Sequence, residues 1–256
     1  MKIFLIFWLA GIAGAILIQP YKYSLFSNFK PNLSSENKLP SIKFMKIIDI
    51  IQSGILLGIA SFAGTRLAPK VGLNWPFLDS LLFGGKTPFP FTSFLAGSIV
   101  TGALVGLSIV IIEWFLFIDK LRPKFKTKNP NRFHTFLAAF YGGISEEIIT
   151  RLFLMSLIAF IIKNIGFSLE TSYLIGIWLA AFLFGLLHLP AALQLFPKTN
   201  FVVMRTIVLN MVGGVTFGWL FVVYGIESAM IAHFTADIVL HVIMGPTLNK
   251  KLYREV

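Results

Sequence analysis

The sequence predicts an all-α fold, a multipass transmembrane helical bundle of about seven membrane-embedded helices, or eight if a shorter apolar stretch also enters the bilayer. Three observations predict it. Apolar runs recur along the 256-residue chain, each of the roughly 20 residues that a helix needs to cross the hydrocarbon core. Only 13% of the residues are charged and mean hydropathy is +0.81, whereas soluble domains carry about 25% charged residues. Lysine and arginine collect between the apolar runs, as in "KLRPKFKTKNPNR" (120–132).

The first run, 3–18, lies in "MKIFLIFWLAGIAGAILIQP", which has the charged start and apolar stretch of a signal peptide. Its apolar part is long and no small-x-small cleavage site precedes polar sequence, so it is expected to stay as the first helix. The second and third runs are 44–66 and 93–118. Between them "VGLNWPFLDSLLFGG" (71–85) is shorter and reads as an interfacial or re-entrant helix. The fourth, 133–162, is long enough to tilt or to begin outside the hydrocarbon; 171–188, 201–224 and 226–246 complete the set. There is no internal repeat, and residues 1–256 read as a single membrane domain. "GGVTFG" places Gly214 and Gly218 at a spacing that lets a neighbouring backbone approach closely, which is a packing signal.

The net charge of +11 invites a nucleic-acid reading, yet no basic–aromatic signature of a nucleic-acid-binding fold accompanies it. The bases sort by loop instead. Segments 19–46, 119–132, 189–200 and 247–256 hold 15 lysines and arginines, against five in Lys2, 66–92 and 163–170. By the positive-inside rule this puts the C-terminus in the cytoplasm and the N-terminus outside, in the cell (plasma) membrane, with membrane lipids as partners. The absence of cysteine excludes disulfides, thiol catalysis, cysteine–zinc sites and palmitoylation.

Few ionisable residues lie inside the runs: Asp49, Glu113, Glu146, Glu147, Arg151, Arg205, His233 and Asp237, with His188, Glu227 and His241 near run ends. Each charge at mid-bilayer costs roughly 2.5–3.5 kcal/mol on insertion scales, so "SEEIITR" (145–151) demands partners. Glu147 and Arg151 are i, i+4, which lets the arginine fold onto that carboxylate. Phe184 and His188 share this spacing, as do His233 and Asp237, so each pair stands on one helix face. The economical arrangement turns these faces toward one another. Glu146 is then the freer carboxylate, suited to taking a proton from water, and a nearby histidine can share that proton. Such a cluster describes a water-activating hydrolase within the membrane; the bland alternative is interhelical glue.

Other signals are weaker. "GGKT" (84–87) lacks the first glycine of a phosphate loop, since Ser80 stands there, and reads as a turn. Ser145 follows "GI" but lacks the second glycine of a serine-protease GxSG motif. Asp49 and Glu113 are each isolated along the sequence, and His134 sits at the mouth of the fourth run.

"EEIITR" (146–151), "FGLLH" (184–188) and "HFTAD" (233–237) match in order the EExxxR, FxxxH and HxxxN/D motifs of the CPBP intramembrane proteases. That family includes CAAX prenyl endopeptidases and bacteriocin-processing or immunity relatives. "GWLFVVYGIESAMIAH" (218–233) resembles its glycine–aromatic turn before the last histidine. The resemblance covers about 133–245, which would be a catalytic helical core behind N-terminal transmembrane helices in 1–132. It implies a glutamate-dependent endopeptidase acting on a peptide or protein substrate at the membrane. Glu146 would activate water with help from His188, Glu147 and Arg151 would be structural and electrostatic partners, and Phe184 would wall the pocket. His233 and residue 237 would stabilise the oxyanion. Aspartate at 237 departs from members with asparagine there: an ionised carboxylate only accepts hydrogen bonds, so Asp237 is either protonated in its low-dielectric setting or, as its i, i+4 spacing to His233 and His241 favours, orients His233. No cofactor is expected. Zinc on His188, His233 and Glu146 is the alternative, with metalloprotease chemistry, although no HExxH helix occurs. Rival functions are a non-catalytic immunity or scaffold relative and a proton-coupled transporter, for which Asp49 or Glu113 would matter as much as Glu146.

Overall fold

Long apolar runs set the frame. The computed structural model describes residues 1–28, 42–84, 89–125 and 131–254, and among these there is no strand. Six helical stretches are long and apolar enough to cross a membrane: Lys2–Ser24, Lys43–Val71, Phe91–Lys120, Leu169–Leu195, Asn200–Tyr224 and Ile226–Ile243. The expected fourth span is a continuous helical run from 132 to 164 that carries Glu146, Glu147 and Arg151. The protein is an all-α multipass membrane bundle.

In chain order the helices are α1 (Lys2–Leu17), α2 (Gln19–Asn28), α3 (Ile42–Leu67), α4 (Pro76–Phe83), α5 (Phe91–Ile112), α6 (Arg132–Phe140), α7 (Ser156–Asn164), α8 (Leu169–Leu187), α9 (Leu189–Leu195), α10 (Asn200–Tyr224), α11 (Ile226–Asp237) and α12 (Gly245–Leu252). Two wider π-helical segments, Tyr141–Glu146 and Ile148–Met155, join α6 to α7 without a break. Local chemistry marks the boundaries. Asn131, Ser168 and Thr199 cap α6, α8 and α10 by accepting backbone N–H groups with their side chains, which satisfies donors that have no partner in the first turn. Gly225 separates α10 from α11 at φ 90° with Pro76 pressed against it; a side chain there would be both strained and obstructed. The stretch read as interfacial is the short helix α4, tied to the start of α11 by the Leu78 N–H donating to Glu227 at 2.9 Å.

The run 132–164 is the centre of the bundle, packing on α1, α3, α8, α10 and α11. Lipid offers no hydrophobic drive for helix association, so close backbone approach at small residues takes its place. Gly102 of α5 lies directly on the Ala232 backbone, leaving no room for a side chain, and Ser98 and Ser228 share a hydrogen bond one turn away at 2.8 Å. Gly214 and Gly218 of α10 face Ala181 and Ile177 of α8. These two seams present α8, α10 and α11 to the charged middle of the central run. Residues 85–87 of the "GGKT" reading, 126–130 of the basic segment and 29–41 of the 19–46 loop lie outside the described residues.

Candidate active site

The site assembles on the π-helical part of the central run. A π turn takes more residues than an α turn and frees backbone carbonyls, and such segments recur at functional sites. Here the Thr150 hydroxyl donates to the Glu146 carbonyl at 2.6 Å and accepts from Arg151 Nη1 at 2.6 Å.

Glu147 and Arg151 meet at 2.9 Å, both essentially fully buried. The same carboxylate oxygen, Oε1, accepts from His233 Nδ1 at 2.6 Å. Arg151 also donates to the Gly214 carbonyl at 3.2 Å. Two aromatic rings enclose this knot. Phe184 lies 4.9 Å from the guanidinium carbon and Phe217 5.6 Å from it. Phe217 also stacks on the His233 imidazole at 4.7 Å and 21°. The guanidinium, carboxylate and imidazole thus neutralise and hold one another where water is scarce.

Glu146 faces a different environment. Its nearest ionisable partners are His233 Nε2 at 3.8 Å and His188 Nε2 at 3.9 Å, and its side chain is 23% exposed. These separations exceed a direct hydrogen bond and suit a shared water molecule. His188 Nδ1 lies 2.9 Å from the Phe184 carbonyl. A carbonyl only accepts, so Nδ1 carries the proton, and in the neutral ring Nε2 faces Glu146 as an acceptor. Asp237 Oδ1 stands 3.8 Å from both His233 Nε2 and His241 Nε2. Gly142 closes this side: a side-chain carbon there would run into the Asp237 carboxylate and come within 3.2 Å of His233 Nε2.

The structure therefore brings Glu146, Glu147, Arg151, Phe184, His188, His233 and Asp237 together. One expected contact differs. The carboxylate bonded to His233 is Glu147, from the facing run, and not Asp237, which the i, i+4 spacing suggested; Asp237 stands off beside Nε2 and His241. Thr150, Gly142 and Phe217 join the cluster without having been singled out. No spacing rule reaches them, though Phe217 lies inside the "GGVTFG" segment read as packing. Ser145 is buried and its hydroxyl donates to the Gly11 carbonyl at 2.9 Å, away from the cluster.

The isolated acids have partners. Glu113 accepts from Arg205 of α10 at 2.7 and 2.8 Å, and Asp49 accepts from Lys22 at 3.0 Å and Gln19 at 2.5 Å. Among the described residues no group of three or more His, Asp or Glu side chains is placed to hold one metal ion. The 3.8 and 3.9 Å separations around Glu146 are wider than the about 3.3 Å between neighbouring ligand atoms on tetrahedral zinc with bonds of about 2.0–2.1 Å. His188, His233 and Glu146 do not fit zinc as they stand.

Residues 128–239 match the family described as Type II CAAX prenyl endopeptidase Rce1-like. No curated protein and no solved structure matched the chain.

Proposed function

We propose, because residues 128–239 match the type II CAAX prenyl endopeptidase Rce1-like family, that this chain is an intramembrane endopeptidase whose base is Glu146. The observation that carries the reading is the 3.8–3.9 Å spacing between the Glu146 carboxylate and the two imidazole Nε2 atoms. A water molecule there donates one proton to Glu146 and a hydrogen bond to neutral His188. As its oxygen attacks the peptide carbonyl, that proton passes to Glu146, which returns it to the leaving amine. His233 in its doubly protonated form keeps Nδ1–H on Glu147 and offers Nε2–H to the oxyanion. A fixed donor of this kind is commonly worth about 10²–10³ in rate. Phe184 walls the pocket beside His188, their rings 4.5 Å apart.

No step is routed through a metal. The substrate is a peptide or protein segment reaching the site from the membrane, and a prenylated CAAX terminus is the first to try given the family. Lipids would surround the bundle in the cell membrane, and the basic loops support a C-terminus in the cytoplasm. The test is cleavage of a fluorogenic, farnesylated peptide ending in a CAAX tetrapeptide, backed by an unbiased comparison of membrane peptides cut by wild type and Glu146→Ala. Cleavage by wild type alone, undiminished by a metal chelator, supports the proposal. Cleavage by both proteins overturns Glu146 as the base, and cleavage by neither overturns the proposal in favour of a non-catalytic peptide-binding relative.

A further inference from the structure

The segment 213–217, "GGVTF", serves more than helix packing. Phe217 lies flat on the His233 ring at 4.7 Å and 21° and within 5.6 Å of the Arg151 guanidinium. It is 2% exposed, so no water competes for its face. Gly213, one turn earlier on the same helix, makes room for that ring: a side-chain carbon at 213 would stand 3.0 Å from Phe217 Cε2. The carbonyl of Gly214 takes Arg151 Nη2 at 3.2 Å. Within about one helical turn, Gly214 and Phe217 thus meet Arg151 and His233, the two side chains that hold Glu147, and Gly213 seats the ring.

We infer that Phe217, seated by Gly213, is a positioning residue that presents the face of its ring to His233 and Arg151 and holds the imidazole plane with Nε2 toward Glu146. This inference rests on the proposed endopeptidase reading for its activity readout, though not for its geometry. The face of an aromatic ring carries negative charge density and attracts a cation most strongly when both are shielded from water. A ring stacked on an imidazole therefore favours the doubly protonated state that donates to an oxyanion, and it fixes the angle of that donation. Leucine at 217 fills similar space but has no such face.

The experiment is a series at one position, read on the full-length protein in detergent with the farnesylated CAAX peptide. Phe217→Leu is expected to lower kcat about tenfold with KM within about twofold, as an interaction used mainly in the transition state would. Replacing Phe217 by mono- and then trifluorophenylalanine, which withdraws charge from the ring face at nearly constant volume, is expected to lower kcat in that order. Gly213→Ala, which pushes the ring aside, is expected to fall between. If the trifluorinated protein keeps wild-type kcat while Phe217→Leu loses it, the ring only fills space and the inference fails. A separate readout needs no substrate: stacking shifts the imidazole proton resonances of His233 upfield, and Phe217→Leu removes that shift. Its presence with no cleavage by any protein sinks the protease reading and leaves the contact standing. Its absence in wild type sinks the inference, whatever is cleaved.

Discussion

Glu146 and Glu147 are neighbours in the chain, and the two sides of the helical run they occupy differ in almost every physical respect. On the Glu147 side, one buried carboxylate oxygen is bonded to Arg151 at 2.9 Å and to His233 at 2.6 Å, and aromatic rings shut out solvent. On the Glu146 side the carboxylate is partly exposed and no ionisable partner comes closer than 3.8 Å. The closed side shows how a membrane interior tolerates charge, by pairing it within the protein, while the second carboxylate oxygen, Glu147 Oε2, is buried with no hydrogen-bond partner among the described residues. The open side shows where a reaction can occur, because its carboxylate is partly exposed and leaves room for a water molecule between it and the imidazoles. His233 joins the two, with Nδ1 on the closed side and Nε2 on the open side.

The sharpest way to break this comparison is to neutralise each acid in turn. Glu146→Gln is expected to lower kcat by about 10²–10⁴, the usual contribution of a positioned general base, and to leave the thermal unfolding midpoint in detergent close to wild type. Equal loss of folding and activity would mean that Glu146 is structural and that the two sides do not divide their labour.

The closed side should respond in the opposite sense. Arg151→Met leaves Glu147 buried with a charge that only His233 answers. Breaking a buried pair from one end typically costs about 3–5 kcal/mol. A large drop in unfolding midpoint is expected, and Glu147→Gln combined with Arg151→Met should be milder than Arg151→Met alone, because the carboxylate and the guanidinium leave together and His233 can give up its extra proton. A double mutant that behaves as the sum of the singles would show the pair to be uncoupled.

The sequence made much of this arrangement legible and left particular parts dark. The spans were visible because each is a long apolar run, and Glu147–Arg151 because four residues is one helical turn. Helices α2, α9 and α12 were not, since each has ten residues or fewer and lacks an apolar run of spanning length. The bond from His233 to Glu147 bridges 86 positions, and no periodicity carries that information. Spacing favoured Asp237 because it is the local partner; tertiary packing brought a nearer one. Phe217 was hidden for another reason: an aromatic residue in an apolar helix looks like any other core residue until its neighbours are known.

Asp237 tests how far the open side depends on charge. Because Glu147 already holds the His233 ring, Asp237→Asn should retain activity within about tenfold of wild type, a far smaller loss than a missing general base causes. An amide there can donate a hydrogen bond that an ionised carboxylate cannot. A loss as complete as that of Glu146→Gln, measured with the same peptide, would make Asp237 part of the reacting machinery.

The smallest effects are expected at the acids farthest from the cluster in role. The Lys22–Asp49 pair leaves its side chains 41% and 37% exposed, and exposed pairs contribute about 0–1 kcal/mol, less in high salt. Asp49→Asn should shift stability little and leave kcat unchanged. Glu113 is more enclosed and doubly bonded to Arg205, so Glu113→Gln should lower the unfolding midpoint more than Asp49→Asn does, again without changing kcat. These two positions carry weight beyond their size. A proton-coupled transporter would move charge through a chain of acids, and Asp49 or Glu113 would then be as sensitive as Glu146. Substrate flux into proteoliposomes that vanishes in Asp49→Asn or Glu113→Gln would erase the distinction between the two sides of the run, because every buried acid would then serve one pathway.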